Sequence, residues 1–272
     1  MKNTLLLLTV FLFVTSCDSD DNNTENNNIF EGNVLLTTQA EVNDFGNQNY
    51  HTINGGLTIR RESPSQTSDI NDLTPLSSLT AVTGRLWITN CDNLSTLDGL
   101  NNLGSVLNLS VFGNEKLTSI SALSNMTAIE SYIRIKNNPV LTSLNGLNQI
   151  ENSNSVIIIN NSALTSLQGL NALTTTKSLE ISGNANLQTV DGLENLTNLG
   201  SYGATNLGDL KIGVMWVDIG PSLQNYPNPN LTDFCALQNL FVNGNGLERD
   251  VVIQNNAYNP TAQDISNGNC SQ

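Results

Sequence analysis

Apolar and polar positions recur in a fixed order from Leu86 to Leu196. Each turn opens on two aliphatics two residues apart: Leu86/Ile88, Leu109/Val111, Ile133/Ile135, Ile157/Ile159 and Leu179/Ile181. A small polar corner follows, then L-T-S-L or a near copy, from Leu94–Leu97 to Leu187–Val190. Three residues later comes one more Leu, often after Gly. The spacing between successive second aliphatics is 23, 24, 24 and 22 residues, a solenoid period. Within Leu86-Trp87-Ile88-Thr89 the alternation turns Leu86 and Ile88 inward and Trp87 and Thr89 outward. A single strand of this kind cannot bury its inner face. Stacking coils at roughly 4.8 Å pairs the backbones in parallel and buries every inner row. The pattern therefore predicts an all-β chain, a parallel β-solenoid or β-helix of about seven 22–24-residue coils.

The refrain starts at Leu57-Thr58-Ile59 and falters after Leu193, with Leu210-Lys211-Ile212 as the next strand. Two insertions leave from the same corner of the coil. About five extra residues lie within Arg60–Asp69, a polar Pro/Ser stretch that reads as a surface loop. Roughly thirteen lie around Val214–Tyr226 and include Val214-Met215-Trp216-Val217, which is unusually apolar for a loop. Residues 29–56 read as an N-terminal cap, 57–232 as the β-helix and 233–272 as a C-terminal cap. The last is expected to hold a short helix over Asp233–Val242, closed at Gly244, and a final strand at Val251–Ile253. A turn at Asn259-Pro260 follows, with Pro at the first helical position.

The chain begins with the basic Met1-Lys2-Asn3 and an apolar run, Leu5–Val14, too short to span a bilayer. Val14-Thr15-Ser16-Cys17 looks like a bacterial lipobox. That predicts a signal peptide over 1–16 and a lipid-bearing Cys17. Residues 17–28 are an acidic, Asn-rich tether with nothing apolar to pack after the Cys. A lipid Cys followed at once by acids resembles the surface-export signal of Bacteroidota lipoproteins. The resemblance implies a chain lipid-anchored in the outer membrane and exposed at the cell surface.

The repeated N-x-x-L-T-S-L-x-G-L with its strand pair resembles the receptor L-domain type of leucine-rich β-helix. The endings Leu231-Thr232-Asp233-Phe234-Cys235-Ala236-Leu237 and Asn256-Ala257-Tyr258-Asn259-Pro260-Thr261 are similar to those of Bacteroidota lipoproteins that carry it. The likeness covers about Leu57 to Cys270 and implies fold and surface location. L domains elsewhere bind ligands, but no binding motif carries over residue by residue.

The formal charge of −14 reflects a scarcity of bases and argues against nucleic acid as a partner. Cys235 and Cys270 both lie in the non-repeating C-terminus and are the natural disulfide pair of an exported chain. Cys91 stands at the corner occupied elsewhere by Asn114, Asn138 and Asn184, and reads as a buried substitute for Asn. His51 is the only histidine, and no nucleophile signature or metal spacing accompanies it, so no catalytic, cofactor or metal residues are assigned. Asp98 and Asp191 share a corner type about four coils apart, roughly 19 Å at strand spacing, too far for a glycosidase pair.

Stacking the coils creates two outward columns. One runs Thr58, Trp87, Ser110, Arg134, Ile158, Glu180, Lys211; the other runs Arg60, Thr89, Phe112, Lys136, Asn160, Ser182. Trp87, Phe112, Arg134 and Lys136 form the candidate ligand face, where aromatic rings beside bases suit a sugar or an acidic peptide. Met215 and Trp216 form a rival docking loop. The expected protein is a monomeric, non-catalytic binding or adhesion module for a glycan or protein ligand, held to the membrane by its lipid. The alternatives are a structural spacer of the cell envelope and a carbohydrate-active β-helix enzyme.

Overall fold

The structure, a computed structural model, describes residues 28–200, 209–217 and 222–272. The expected signal peptide, Cys17 and nearly all of the tether lie outside the described residues. The chain opens with β1 (Ile29–Glu31), β2 (Val34–Leu36), helix α1 (Gln39–Gly46), β3 (Thr52–Asn54) and β4 (Leu57–Arg60). The regular coils supply β5 (Ala81–Thr89), β6 (Ser105–Phe112), β7 (Ala128–Ile129), β8 (Tyr132–Lys136), β9 (Asn152–Ile159) and β10 (Thr175–Ser182). After them come β11 (Asn198–Leu199), β12 (Leu210–Ile212), β13 (Val214–Val217) and β14 (Ser222–Asn225). Helix α2 (Gln238–Val242), β15 (Val251–Ile253) and α3 (Ala262–Ser266) close the chain.

One parallel sheet runs the length of the molecule, in the order β2–β4–β5–β6–β8–β9–β10–β12–β15 along its main column. The seven expected rungs are β4 to β12, and each cap adds one more. Residues 29–56 are a further coil of the same sheet: β1 pairs with β3 and β2 with β4. Helix α1 sits on that coil through Val42, fully buried, and is capped by Thr38 and Glu41 in a reciprocal box. At the other end β15 pairs with β12, as the Val251–Ile253 pattern predicts.

Leu57, Leu86, Leu109, Ile133, Val156, Leu179 and Leu210 stand in register, all fully buried. The fourth strand thus corrects the sequence reading by one residue: Val156 and Ile158 point inward, and Ile157 lies on the outer face. Val156-Ile157-Ile158-Ile159 is aliphatic throughout, so alternation offers no parity there. The corner settles it. Asn90, Asn137 and Asn160 turn at φ of 54°, 57° and 56°, a left-handed position that also takes Gly113 and Gly183. Asn160 is therefore a corner residue, and Ile159 takes its place in the outer column.

The next residue at each corner builds a buried asparagine ladder. Cys91 N–H donates to Asn114 Oδ1 (2.9 Å), Asn114 to Asn138 (3.1 Å), Asn138 to Asn161 (3.2 Å), Asn161 to Asn184 (2.9 Å) and Asn184 to Asn228 (2.9 Å). Each Asn Nδ2 reaches back to a strand carbonyl, as Asn161 does to Ile135 at 2.9 Å. These bonds satisfy backbone groups that a polar corner would otherwise bury without partners. The remaining sides of each coil are turns whose leucines, such as Leu94, Leu97 and Leu100, fill the core. The glycine before the third leucine is dictated by close stacking. Gly146 has φ of 123°, and a Cβ there would collide with the Ile120 carbonyl of the preceding coil.

The second insertion is an antiparallel hairpin, β13 with β14, rather than a loop. In the C-terminal cap a 3-10 turn at Cys235–Leu237 precedes α2, so the α-helix begins later than the Thr-Asp start suggested. Helix α3 likewise starts after Pro260, because Thr261 is its N-cap with Asp264 as the reciprocal partner. Cys235 and Cys270 are joined by a disulfide, with Cα atoms 4.9 Å apart.

Candidate binding site on the outer sheet face

Strand alternation carries Trp87, Arg134 and Ser110 outward in one column and Phe112 and Lys136 in the next. A third outward column precedes the inner aliphatics and holds Arg85, Asn108 and Tyr132. The sequence reading missed it. Its signal is the same alternation extended one step toward the N-terminus of each strand. The columns meet in one cluster. Trp87 Nε1 donates to the Tyr132 hydroxyl at 3.1 Å, so the indole crosses the β6 rung, where the small Ser110 lies beneath. The Arg85 guanidinium sits 4.2 Å from the Trp87 ring centre, and that of Arg134 sits 5.2 Å from the Tyr132 ring centre.

This cluster stands in a groove of about 540 Å³ that includes Leu35, Thr58, Arg60, Thr89 and Phe112 among its walls. Through Phe112 and Arg134 it continues into a smaller hollow of about 230 Å³ bounded by Lys136, Ile157, Ile159, Glu180 and Met215. The two candidate sites therefore meet: Lys136 Nζ lies 3.9 Å from Met215 Sδ of the hairpin. Val214 is buried, while the Trp216 side chain lies outside the described residues. Toward the C-terminal rungs the outer face closes, and Ile159, Glu180, Ser182 and Lys211 are all buried. Burial lowers the pKa of Lys211, and the neighbouring charge of Glu180 opposes that shift. The open part of the face is thus the stretch from Thr58 to Ile157.

A larger hollow of about 860 Å³ lies around Thr127, Gln149, Asn152 and Lys177. It has no aromatic side chain. Cys91 is free and fully buried, with its thiol near the carbonyls of Ile59 and Thr89, both at 3.7 Å. Burial pushes its pKa to about 12. His51 is exposed at the N-terminal coil. Among the described residues no three His, Cys, Asp or Glu side chains are grouped to hold a metal ion.

Residues 49–152 match the family model described as Receptor L domain, a family of binding rather than catalytic domains. The match spans β3 to the start of β9 and so contains Arg85, Trp87, Phe112, Tyr132, Arg134 and Lys136. No curated protein and no solved structure matches the chain. The class defined by fold and match together is a leucine-rich parallel β-solenoid similar to the receptor L domain.

Proposed function

We propose that this chain is a non-catalytic binding module displayed on the cell surface by a lipid on Cys17. The outer sheet face is its recognition surface. The observation that carries the reading is the Trp87–Tyr132 pair with its two stacked arginines, set in an open groove within the segment similar to a receptor L domain. Aromatic and arginine side chains fixed in a concave site dominate recognition surfaces. The ligand is a glycan or a protein. A structural spacer has no need of such a groove, and the D-G-L carboxylates, Asp98 and Asp191, serve the turns.

A pull-down with the full chain, followed by the Trp87→Ala/Arg134→Ala variant, tests the reading. Loss of the captured ligand supports it, and undiminished capture overturns it. The anchor is tested separately. Labelled fatty acid should enter the chain and disappear in Cys17→Ala, and protease added to intact cells should remove the solenoid.

A further inference from the structure

We propose that the groove binds a linear acidic polysaccharide, with Arg85 and Arg134 clamping two of its anionic groups. This rests on the reading of the outer face as the recognition surface and specifies its ligand.

The chain has 24 acidic and 10 basic residues, yet the walls of the main groove carry Arg60, Arg85 and Arg134 and no Asp or Glu, the nearest carboxylate along its course being Glu180 in the adjoining hollow, itself buried. Among the described residues neither Arg85 nor Arg134 has a carboxylate partner, whereas Arg61 pairs with Asp92 at 3.5 Å elsewhere. Each guanidinium is instead steadied on an aromatic plane, and the Trp87–Tyr132 hydrogen bond locks the two planes to each other. Such a guanidinium keeps its hydrogen-bonding edge for an oxyanion and loses little freedom when it binds one. The backbones of Arg85 and Arg134 are two rungs apart and two positions along the strand, roughly 12 Å at standard sheet spacings. Two guanidiniums rising from separate rungs, each on its own ring, suit a ligand with repeated charges. The groove crosses the rungs from Leu35 toward Met215 and offers the hydroxyls of Thr58, Thr89 and Ser110. Under it the sheet amides are engaged in rung pairing, so an extended peptide would find no main-chain partners there. A sugar chain needs none.

The test measures binding of the full chain in detergent to polygalacturonate, to its fully methyl-esterified form, to dextran sulfate and to polyglutamate. Expected are binding to polygalacturonate or dextran sulfate, with their difference distinguishing carboxylate from sulfate, and at least about tenfold weaker binding to the ester and to polyglutamate. Arg85→Gln and Arg134→Gln should each weaken acidic-glycan binding about tenfold with unchanged thermal melting, and Arg85→Lys should fall in between. Equal binding of acid and ester, equal binding of polyglutamate, or no binding to either acidic glycan overturns the proposal. A neutral glycan or protein lost in Trp87→Ala but retained in both arginine variants would overturn it while leaving the recognition face standing. A ligand held equally by all face variants would remove both.

Discussion

The backbone amide of Cys91 donates to the side-chain oxygen of Asn114 at 2.9 Å, which sets a thiol at the head of a ladder built from asparagines. Below it every rung takes an acceptor from the next coil. Above it the thiol faces the carbonyls of Ile59 and Thr89 and carries no amide.

The ladder predicts a steep local cost. Asn161 accepts from the amide and the side chain of Asn138 and donates to Ile135 and Ile159. Asn161→Ala strands several of these groups in the core and should destabilise the chain by about 2–4 kcal/mol. Urea unfolding measures this, with the exposed Asn152→Ala expected within about 0.5 kcal/mol of the parent.

Cys91 predicts a pH dependence. Its thiol is raised by burial from 9.0 to about 12, and the nearby charge of Asp92 adds to that shift. Above pH 9 the unfolded chain releases this proton while the folded chain holds it. The contribution is therefore intact below pH 9 and is lost as pH rises toward 12, at up to about 1.4 kcal/mol per unit. Cys91→Ala should lack that fall, so the difference between the two stability curves isolates it. In the native state at pH 8, iodoacetamide should leave Cys91 unmodified.

The corrected parity of β9 is checked by two neighbours. Ile158 is fully buried and Ile157 is half-buried on the outer face. Ile158→Ala should cost about 2–5 kcal/mol and Ile157→Ala about 1 kcal/mol or less. Equal costs in denaturant melts would count against the register.

Glu180 and Lys211 are cross-strand neighbours, each 6 % exposed. Glu180→Gln leaves the buried ammonium less compensated and should destabilise by about 2–4 kcal/mol, whereas Glu180→Gln/Lys211→Met should recover much of the loss. A double-mutant cycle reads the coupling.

Reduction of Cys235–Cys270, which are 35 residues apart in sequence, should lower stability by about 3–4 kcal/mol through the freed unfolded chain. Amide exchange should show β15 and α3 opening first.

The solenoid was legible because burial imposes the same solution on every coil, and Leu86, Leu109, Ile133 and Leu179 repeat it openly. Parity failed where chemistry stopped discriminating, at Val156–Ile159. The Asn160-Asn161 doublet, matching Asn137-Asn138 and Gly183-Asn184, was the signal that settles it. The site was half legible. Trp87, Phe112, Arg134 and Lys136 follow from alternation, and Arg85 and Tyr132 needed the third column. That the hairpin brings Met215 to Lys136 depends on the turn at Gly213, with φ of 81°, whose direction no local pattern encodes.

The ladder also shows where the chain varies in length. Asn228 accepts from the Asn184 amide and donates to Asn256, each at 2.9 Å, although the β13–β14 hairpin intervenes between Ile212 and that corner. At the other end the coil before Cys91 meets its thiol through the Ile59 carbonyl and the Ser68 side chain, and that coil carries the extra Arg60–Asp69 loop. Both insertions thus fall between a strand and its corner and leave the rungs paired: new sequence is written into the verse at one point of the line, and the metre of the stack is kept.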